Sequence, residues 1–354
     1  MKRALLLQII AITVVLISGR SVANCTPKAS RDWSKYPAVV ELDTNEVVYA
    51  VGDAHADPQR LEAVLWKAKI IKGVPSKPTD VKWAAAKSVL VVTGDMIDKW
   101  HHSLDVIALL RALQASAAAA GGRVIITMGN HEAEFLAEPD GDKTEEFGEE
   151  LKEAGLNPVD VADCQGDLGQ FLCTLPIAAR VNDWFFCHAG NTKGQTIKAL
   201  SKDIENDFAS DGFAAHALIG KNSILEARLN DKGPNKLPWF DLGKKSTNPQ
   251  TVLADYVKAL GVNHIVQGHQ PGGVEFPDGQ KRKKSDLFQR YGLLFLIDTG
   301  MSLGVNGETS GGGLLHITGG SNPTVMALCA NGKSLTLWDR KTNPSLNAIH
   351  CDVN

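Results

Sequence analysis

The sequence predicts an α/β fold built on a parallel sheet, and three observations carry that prediction. Short apolar runs recur at Val47-Val48-Tyr49-Ala50-Val51, Ser88-Val89-Leu90-Val91-Val92-Thr93 and Val124-Ile125-Ile126-Thr127-Met128, as buried strands do. Between them lie segments whose apolar residues repeat at helical spacing. Each run ends on a glycine followed by polar residues: Gly52-Asp53-Ala54-His55, Gly94-Asp95-Met96-Ile97-Asp98 and Gly129-Asn130-His131-Glu132. Strand, helix, strand, helix, strand is a parallel layout, and such sheets bind ligands in the crevice outside their C-terminal strand ends. Asp, His, Asp, Asn and His are thus delivered to one rim.

In chain order, Lys2-Arg3, the apolar run Ala4 to Ile17 and Ser21-Val22-Ala23 read as a secretory signal, residues 1–23, cleaved after Ala23. The 14-residue run is short for a membrane span, so no stable membrane insertion is expected after cleavage; a retained N-terminal anchor is the competing reading. Asn24, which is not small, precedes Cys25 and disfavours a lipoprotein. The mature chain is 24–354. Asn24 to Pro37 is an irregular lead-in, and Glu46 to Val51 is the first core strand. Pro58 opens a helix to about Ile70, with Leu61, Val64, Leu65 and Ala68 on one face. Lys72 to Thr79 is a loop, and Ser103 to Ala120 is a helix stopped by Gly121-Gly122.

Residues 138–167 break the rhythm with eleven acidic residues against two lysines. The default reading is a solvated helical insertion. The sharper one is a lid, because the segment leaves the fold just after His131, and an acidic lid favours basic peptides over polyanions. A second, helical insertion spans about 196–260. Late strands follow at Ile265 to Gln267, Leu293 to Asp298, Gly313 to Thr318, Thr324 to Cys329 and Ser334 to Trp338.

A chain of 354 residues, 44% hydrophobic, supports one large α/β domain or two smaller ones, and no internal repeat divides it. Net charge is −3, and about −6 once Lys2, Arg3 and Arg20 leave with the signal. That balance excludes a general nucleic-acid binder, which needs a basic face. Lys281-Arg282-Lys283-Lys284 is the one basic run; it reads as a solvated loop, with docking to an anionic surface as the alternative. Export would let cysteines pair. Cys164 with Cys173, around a short loop, and Cys329 with Cys351, around the C-terminal segment, are the expected pairs. Cys187 reads as a buried apolar residue, and Cys25 is undecided.

The glycine-ended motifs, followed by Phe185-Phe186-Cys187-His188 and Val266-Gln267-Gly268-His269, resemble the calcineurin-like metallophosphoesterase superfamily, matching in order its GDxH, GDxxD, GNHE, lone His and GH. The resemblance implies a two-sheet β-sandwich flanked by helices, the late strands forming the second, more antiparallel sheet. It implies two divalent ions, Mn, Fe or Zn, which hard oxygen ligands mixed with imidazoles suit. Asp53 and His55 would hold one ion, Asp95 would bridge, and Asn130, His188 and His269 would complete the second. A shared water would become hydroxide near neutral pH and attack phosphorus directly. His131 would be the general acid rather than a ligand, oriented and charged by Asp98.

Departures from the family pattern narrow the reading. The phosphatase branch usually has GDxxDRG, whereas here Lys99 follows Asp98; a lysine cannot make arginine's two-pronged phosphate contact, so Arg228, in the phosphatase-like run Asn222 to Arg228, is a second candidate beside Lys99 and Asn130. Pro271 replaces the second His of the diesterase GHxH. That loss, with Asp298-Thr299-Gly300-Met301-Ser302, points to the phosphoprotein-phosphatase branch and to a likeness with bacterial Shewanella-like phosphatases. Ala56 stands where the family usually has Gly. The expected function is a metal-dependent phosphomonoesterase acting on a phosphorylated peptide or a small phosphomonoester. The rivals are a phosphodiesterase or dinucleoside-polyphosphate hydrolase, and a metal-binding interaction module without catalysis. His101, His102, His216, His264, His316 and His350 are read as surface residues.

Overall fold

A computed structural model describes residues 31–229, 248–276, 278–319, 323–341 and 346–353. The signal segment and Cys25 lie outside the described residues. The first half of the chain runs β1 (Val39–Leu42), β2 (Val48–Val51), α1 (Pro58–Lys67), β3 (Val89–Val92), α2 (Ser103–Ala119), β4 (Arg123–Ile126) and α3 (Asn130–Ala137). Three short helices follow, α4 (Glu145–Glu153), α5 (Pro158–Ala162) and α6 (Gly166–Cys173), then β5 (Ala178–Val181) and β6 (Trp184–Cys187). Next come α7 (Ile197–Asp211), α8 (His216–Ile219), α9 (Pro249–Leu260), β7 (His264–Gln267), β8 (Val274–Glu275), β9 (Lys281–Arg282), β10 (Asp286–Arg290) and β11 (Leu294–Leu296). The chain closes with α10 (Leu303–Asn306), β12 (Gly313–Ile317), β13 (Thr324–Cys329), β14 (Ser334–Asp339) and β15 (Leu346–His350).

Two sheets face each other, one ordered β14-β13-β12-β2-β3-β4 and the other β1-β5-β6-β7-β11-β10-β15. Alternation along each strand explains why the runs look uniformly apolar. Val48, Ala50, Val89 and Val91 point between the sheets at Phe186, Val266 and Phe295. Val51, Leu90 and Val92 point the other way, into the cluster shared with Leu61 and Leu65 of α1 and Leu109, Leu110 and Leu113 of α2. Both faces are covered, so neither needs polar residues.

The late strands are not one sheet. β7 and β11 join β6, while β12, β13 and β14 extend the first sheet, β12 lying antiparallel to β2. Strand spacing carries no statement of which open edge a strand takes, and the free edge of β2 captured the last meander. Helix α1 stops at Lys67 because Lys69 turns left-handed, with φ 61°. The disulfides are Cys164–Cys173, tying α6 to the loop before it, and Cys329–Cys351; Cys187 is a buried free thiol.

Candidate active site

Register makes the rim. Val51, Val92 and Ile126 are level across β2, β3 and β4, so the turns after them open side by side. Cys187, Gln267 and Leu296 are level across β6, β7 and β11, which puts His188, His269 and Asp298 on the rim of the other sheet. The two rims meet closely enough that a Cβ on Gly52 would lie 2.8 Å from the Ile297 carbonyl oxygen. At Gly94, with φ 89°, a Cβ would lie 2.3 Å from the Gly129 nitrogen. The backbone around the site is twisted accordingly: His55, Ala56, Asp95, Asp98, Lys99 and His269 all have positive φ. Such residues cost of order 1 kcal/mol or more each and cluster where surrounding structure holds them for function. Ala56 is one of them, which explains why glycine suits that position.

Three imidazoles are oriented in the same way. His55 donates Nδ1–H to the Ile97 carbonyl at 3.0 Å, His188 donates Nδ1–H to the Thr93 carbonyl at 2.7 Å, and His269 donates Nε2–H to the Glu226 carbonyl at 3.1 Å. A carbonyl can only accept, so the other ring nitrogen of each points inward, the arrangement that supports metal-bound histidine. His55 Nε2 and His188 Nε2 each lie 3.3 Å from Asp95 Oδ2. His188 Nε2 is 2.9 Å and His269 Nδ1 3.0 Å from Asn130 Oδ1, and those two nitrogens are 3.1 Å apart. Electron-rich atoms this close require a cation or proton among them.

Among the described residues two groups of metal-type donors result, His55 with Asp95 and His131, and Asp95 with His188 and His269. Asp95 belongs to both. Asp53 belongs to neither, but its Oδ2 accepts the His269 N–H at 2.8 Å, and its buried Oδ1 has no hydrogen-bond partner among the described residues. Burial alone would depress the His188 imidazole, yet Asp95 and Asp53 carry it up to about 10. Burial pushes His55 down to about 4 despite Asp95, and lowers His269 with help from His188 and Arg228. Excess buried carboxylate, two imidazoles held neutral and an orphaned oxygen are what a divalent-cation site needs.

His131 sits beside this cluster, its ring 5.0 Å from that of His55 and its Nδ1 3.1 Å from Asp98 Oδ2. Burial opposes a proton on His131, but Asp95 and then Asp98 outweigh it and raise the group above 6.5. Lys99 and Arg228 are both exposed, and the Lys99 charge is felt at His131 and the Arg228 charge at His269.

Several residues at the site carried no role in the sequence reading. Glu132 is fully buried; its Oε2 accepts N–H bonds from Asp95 at 2.9 Å and Gly129 at 2.7 Å, and its Oε1 one from Met96 at 2.7 Å. It ties the Asp95 turn to the Asn130 turn, and its place inside Gly129-Asn130-His131-Glu132 was the available signal. Asp298 is buried beside Asp53, with Oδ1 accepting from Gly300 N–H at 2.7 Å. Two surface readings are corrected. His264 is buried and stacked 3.8 Å from Trp184, because its position at the start of β7 faces between the sheets. Arg282 is buried, with its guanidinium on the carbonyls of Gln270, Gly272, Asp286 and Asp298, so the basic run is not wholly a solvated loop. A backbone-carbonyl cage leaves no trace in local sequence.

Comparison with known proteins places this geometry. The sequence profile described as calcineurin-like phosphoesterase matches residues 47–273. An uncharacterized protein of Schizosaccharomyces pombe is 26% identical over 319 residues, covering 86% of this chain and 84% of that protein. Shewanella-like protein phosphatase 1 of Plasmodium berghei is 26% identical over 296 residues, covering 79% of this chain and 74% of the relative. Among solved structures, the cold-active protein-tyrosine phosphatase of a psychrophilic Shewanella superposes with a TM-score of 0.62 at 20% identity, covering 85% of this chain and 84% of that one; this likeness carries the fold.

Proposed function

We propose, from the premise that this chain belongs to the calcineurin-like phosphoesterase family and is a phosphatase of that hydrolase class, that it cleaves phosphomonoesters on peptides using two divalent ions. The observation that carries the reading is Asp95, shared by two donor groups with the His131–Asp98 pair alongside. Asp53, His55, Asp95, Asn130, His188 and His269 would hold the ions, and Mn, Fe and Zn fit that mixture of oxygen and imidazole donors. When bound, such ions acidify a water and neutralise phosphoryl oxygens.

The chain's own groups do the rest. His131, kept protonated against burial by Asp95 and Asp98, gives its proton to the departing oxygen. Asp98 holds the ring through Nδ1, so the proton delivered is the one on Nε2. Lys99 and Arg228 bring positive charge to the rim for the substrate phosphate. Pro271 supports the monoester reading, since it cannot supply the second imidazole of diesterases. The names of the Plasmodium and Shewanella relatives support phosphopeptides as the substrate class. Export is inferred as well, supported by two disulfides in the described residues and by the N-terminal segment; among the described residues no helix is long and apolar enough to cross a membrane.

The test is a chelated protein reloaded with Mn, Fe or Zn and assayed side by side on phosphoserine, phosphothreonine and phosphotyrosine peptides, nucleotides and a diester. Metal-restored turnover highest on phosphopeptides is expected. Preference for the diester or a dinucleoside polyphosphate overturns the monoester reading, and no turnover with both ions bound leaves an interaction module.

A further inference from the structure

The acidic insertion does not stand off in solvent. Its first helix, α4, is preceded by Thr144, which offers no side-chain cap, and the free N–H of Phe147 in the first turn donates instead to Asp98 Oδ1 at 2.9 Å. Helix α2 is also uncapped by its own His102. Its first two N–H groups, at Ser103 and Leu104, donate at 2.8 and 2.9 Å to the two oxygens of Glu150, one turn further along α4. Ser103 in turn accepts the Asp98 N–H on Oγ at 3.3 Å. Helix α4 thus caps α2, and Asp98, in the loop that leads into α2, caps α4. That loop needs holding, since Asp98 and Lys99 are consecutive left-handed residues, with φ 61° and 67°.

We propose that Glu150, on the acidic insertion, is a positioning residue for the Asp98–His131 pair. It touches neither substrate nor the reacting atoms. Its carboxylate fixes the start of α2, and with it Ser103 and the Asp98 backbone, while anchoring α4 so that Phe147 meets Asp98 from the other side. A carboxylate suits this place because a helix N-terminus carries partial positive charge and unpaired N–H groups. The inference rests on the reading of His131 as general acid.

The experiment compares Glu150→Ala, Glu150→Gln, Glu149→Ala and His131→Asn as full-length, metal-loaded proteins on a phosphoserine peptide and on p-nitrophenyl phosphate, whose leaving group needs no proton. Glu149 is the exposed neighbour on the same helix and controls for loss of surface charge. Glu150→Ala is expected to lose about 5- to 30-fold in kcat on the peptide, a fraction of what general acid catalysis contributes, and only about twofold on the aryl ester. KM and metal content should hold and the basic limb of the kcat–pH profile should move to lower pH, while Glu150→Gln, which keeps one acceptor oxygen but turns an NH2 group toward the second N–H, should show the same leaving-group bias and pH shift at a smaller size. Glu149→Ala should show no leaving-group bias. Equal losses on both substrates, or none, while His131→Asn shows the bias, would overturn the positioning role alone. His131→Asn without bias would fell the general-acid reading and this inference with it. Should Glu150→Ala not fold, Glu150→Gln and its pH profile decide.

Discussion

Glu132→Ala tests whether one buried carboxylate holds the two turns of the site together. Removing it leaves the N–H groups of Asp95, Met96 and Gly129, and at a longer 3.4 Å that of Ile97, without their acceptor. Each unsatisfied buried donor costs about 1–3 kcal/mol, and with water entering the vacated space about 5 kcal/mol is the working figure for the first three. A second effect runs the other way. Burial, with repulsion from Asp95, pushes Glu132 from its usual 4.5 up to about 6, so at pH 8 the ionised group opposes folding by about 2 kcal/mol. Between those two values the folded state binds more protons than the unfolded one, so this group's contribution falls as pH rises through 4.5 to 6. The substitution should therefore cost about 3 kcal/mol at pH 8 and nearer 5 kcal/mol at pH 5. Urea unfolding of metal-stripped protein with disulfides intact measures both. A loss below about 1 kcal/mol at either pH, or a larger loss at pH 8 than at pH 5, would refute the reasoning.

Asp95→Asn should deplete both ions and abolish turnover while Asp53→Asn mainly empties one site; two full ions in the Asp95→Asn protein by elemental analysis would end the bridging assignment. Lys99→Ala should lower kcat/KM by about 1 to 3 kcal/mol, the scale of a lost charged hydrogen bond, with Lys99→Arg tolerated. Unchanged kinetics would shift phosphate binding to Arg228. Replacing Cys329 and Cys351 by Ser opens a loop with a sequence separation of 22 and should cost about 3 kcal/mol in chemical denaturation, with activity at 25 °C retained.

How far the site could be read in advance depended on what local sequence can encode. Asp53, Asp95 and Asn130 were legible because each follows a glycine at the end of a buried strand, and parallel register then aligns them without further information. His188 and His269 were legible only through the resemblance; nothing local says that β6 and β7 reach the same rim from the opposite sheet. The assignment of β12 to the edge of β2 was not legible, since an antiparallel meander fits any open edge of matching length. Nor were the buried Arg282 and the Glu150 contacts, whose partners are backbone atoms 46 or 47 positions away in the one case and dispersed carbonyls in the other. Exposed-looking charge was the misleading signal at both.

The donors come from two separate sheets, and the Asp53–His269 contact joins positions 216 apart. An unfolded chain cannot hold such groups together, so an ion bound here recognises only the finished sandwich, and its whole binding free energy is added to the folded state. The ions would act as rivets through the seam between the sheets. Opening that seam at the rim would require releasing metal first, so chelation should speed amide exchange on both sides of it together, at Asp95 as at His269, even though the two residues belong to different sheets.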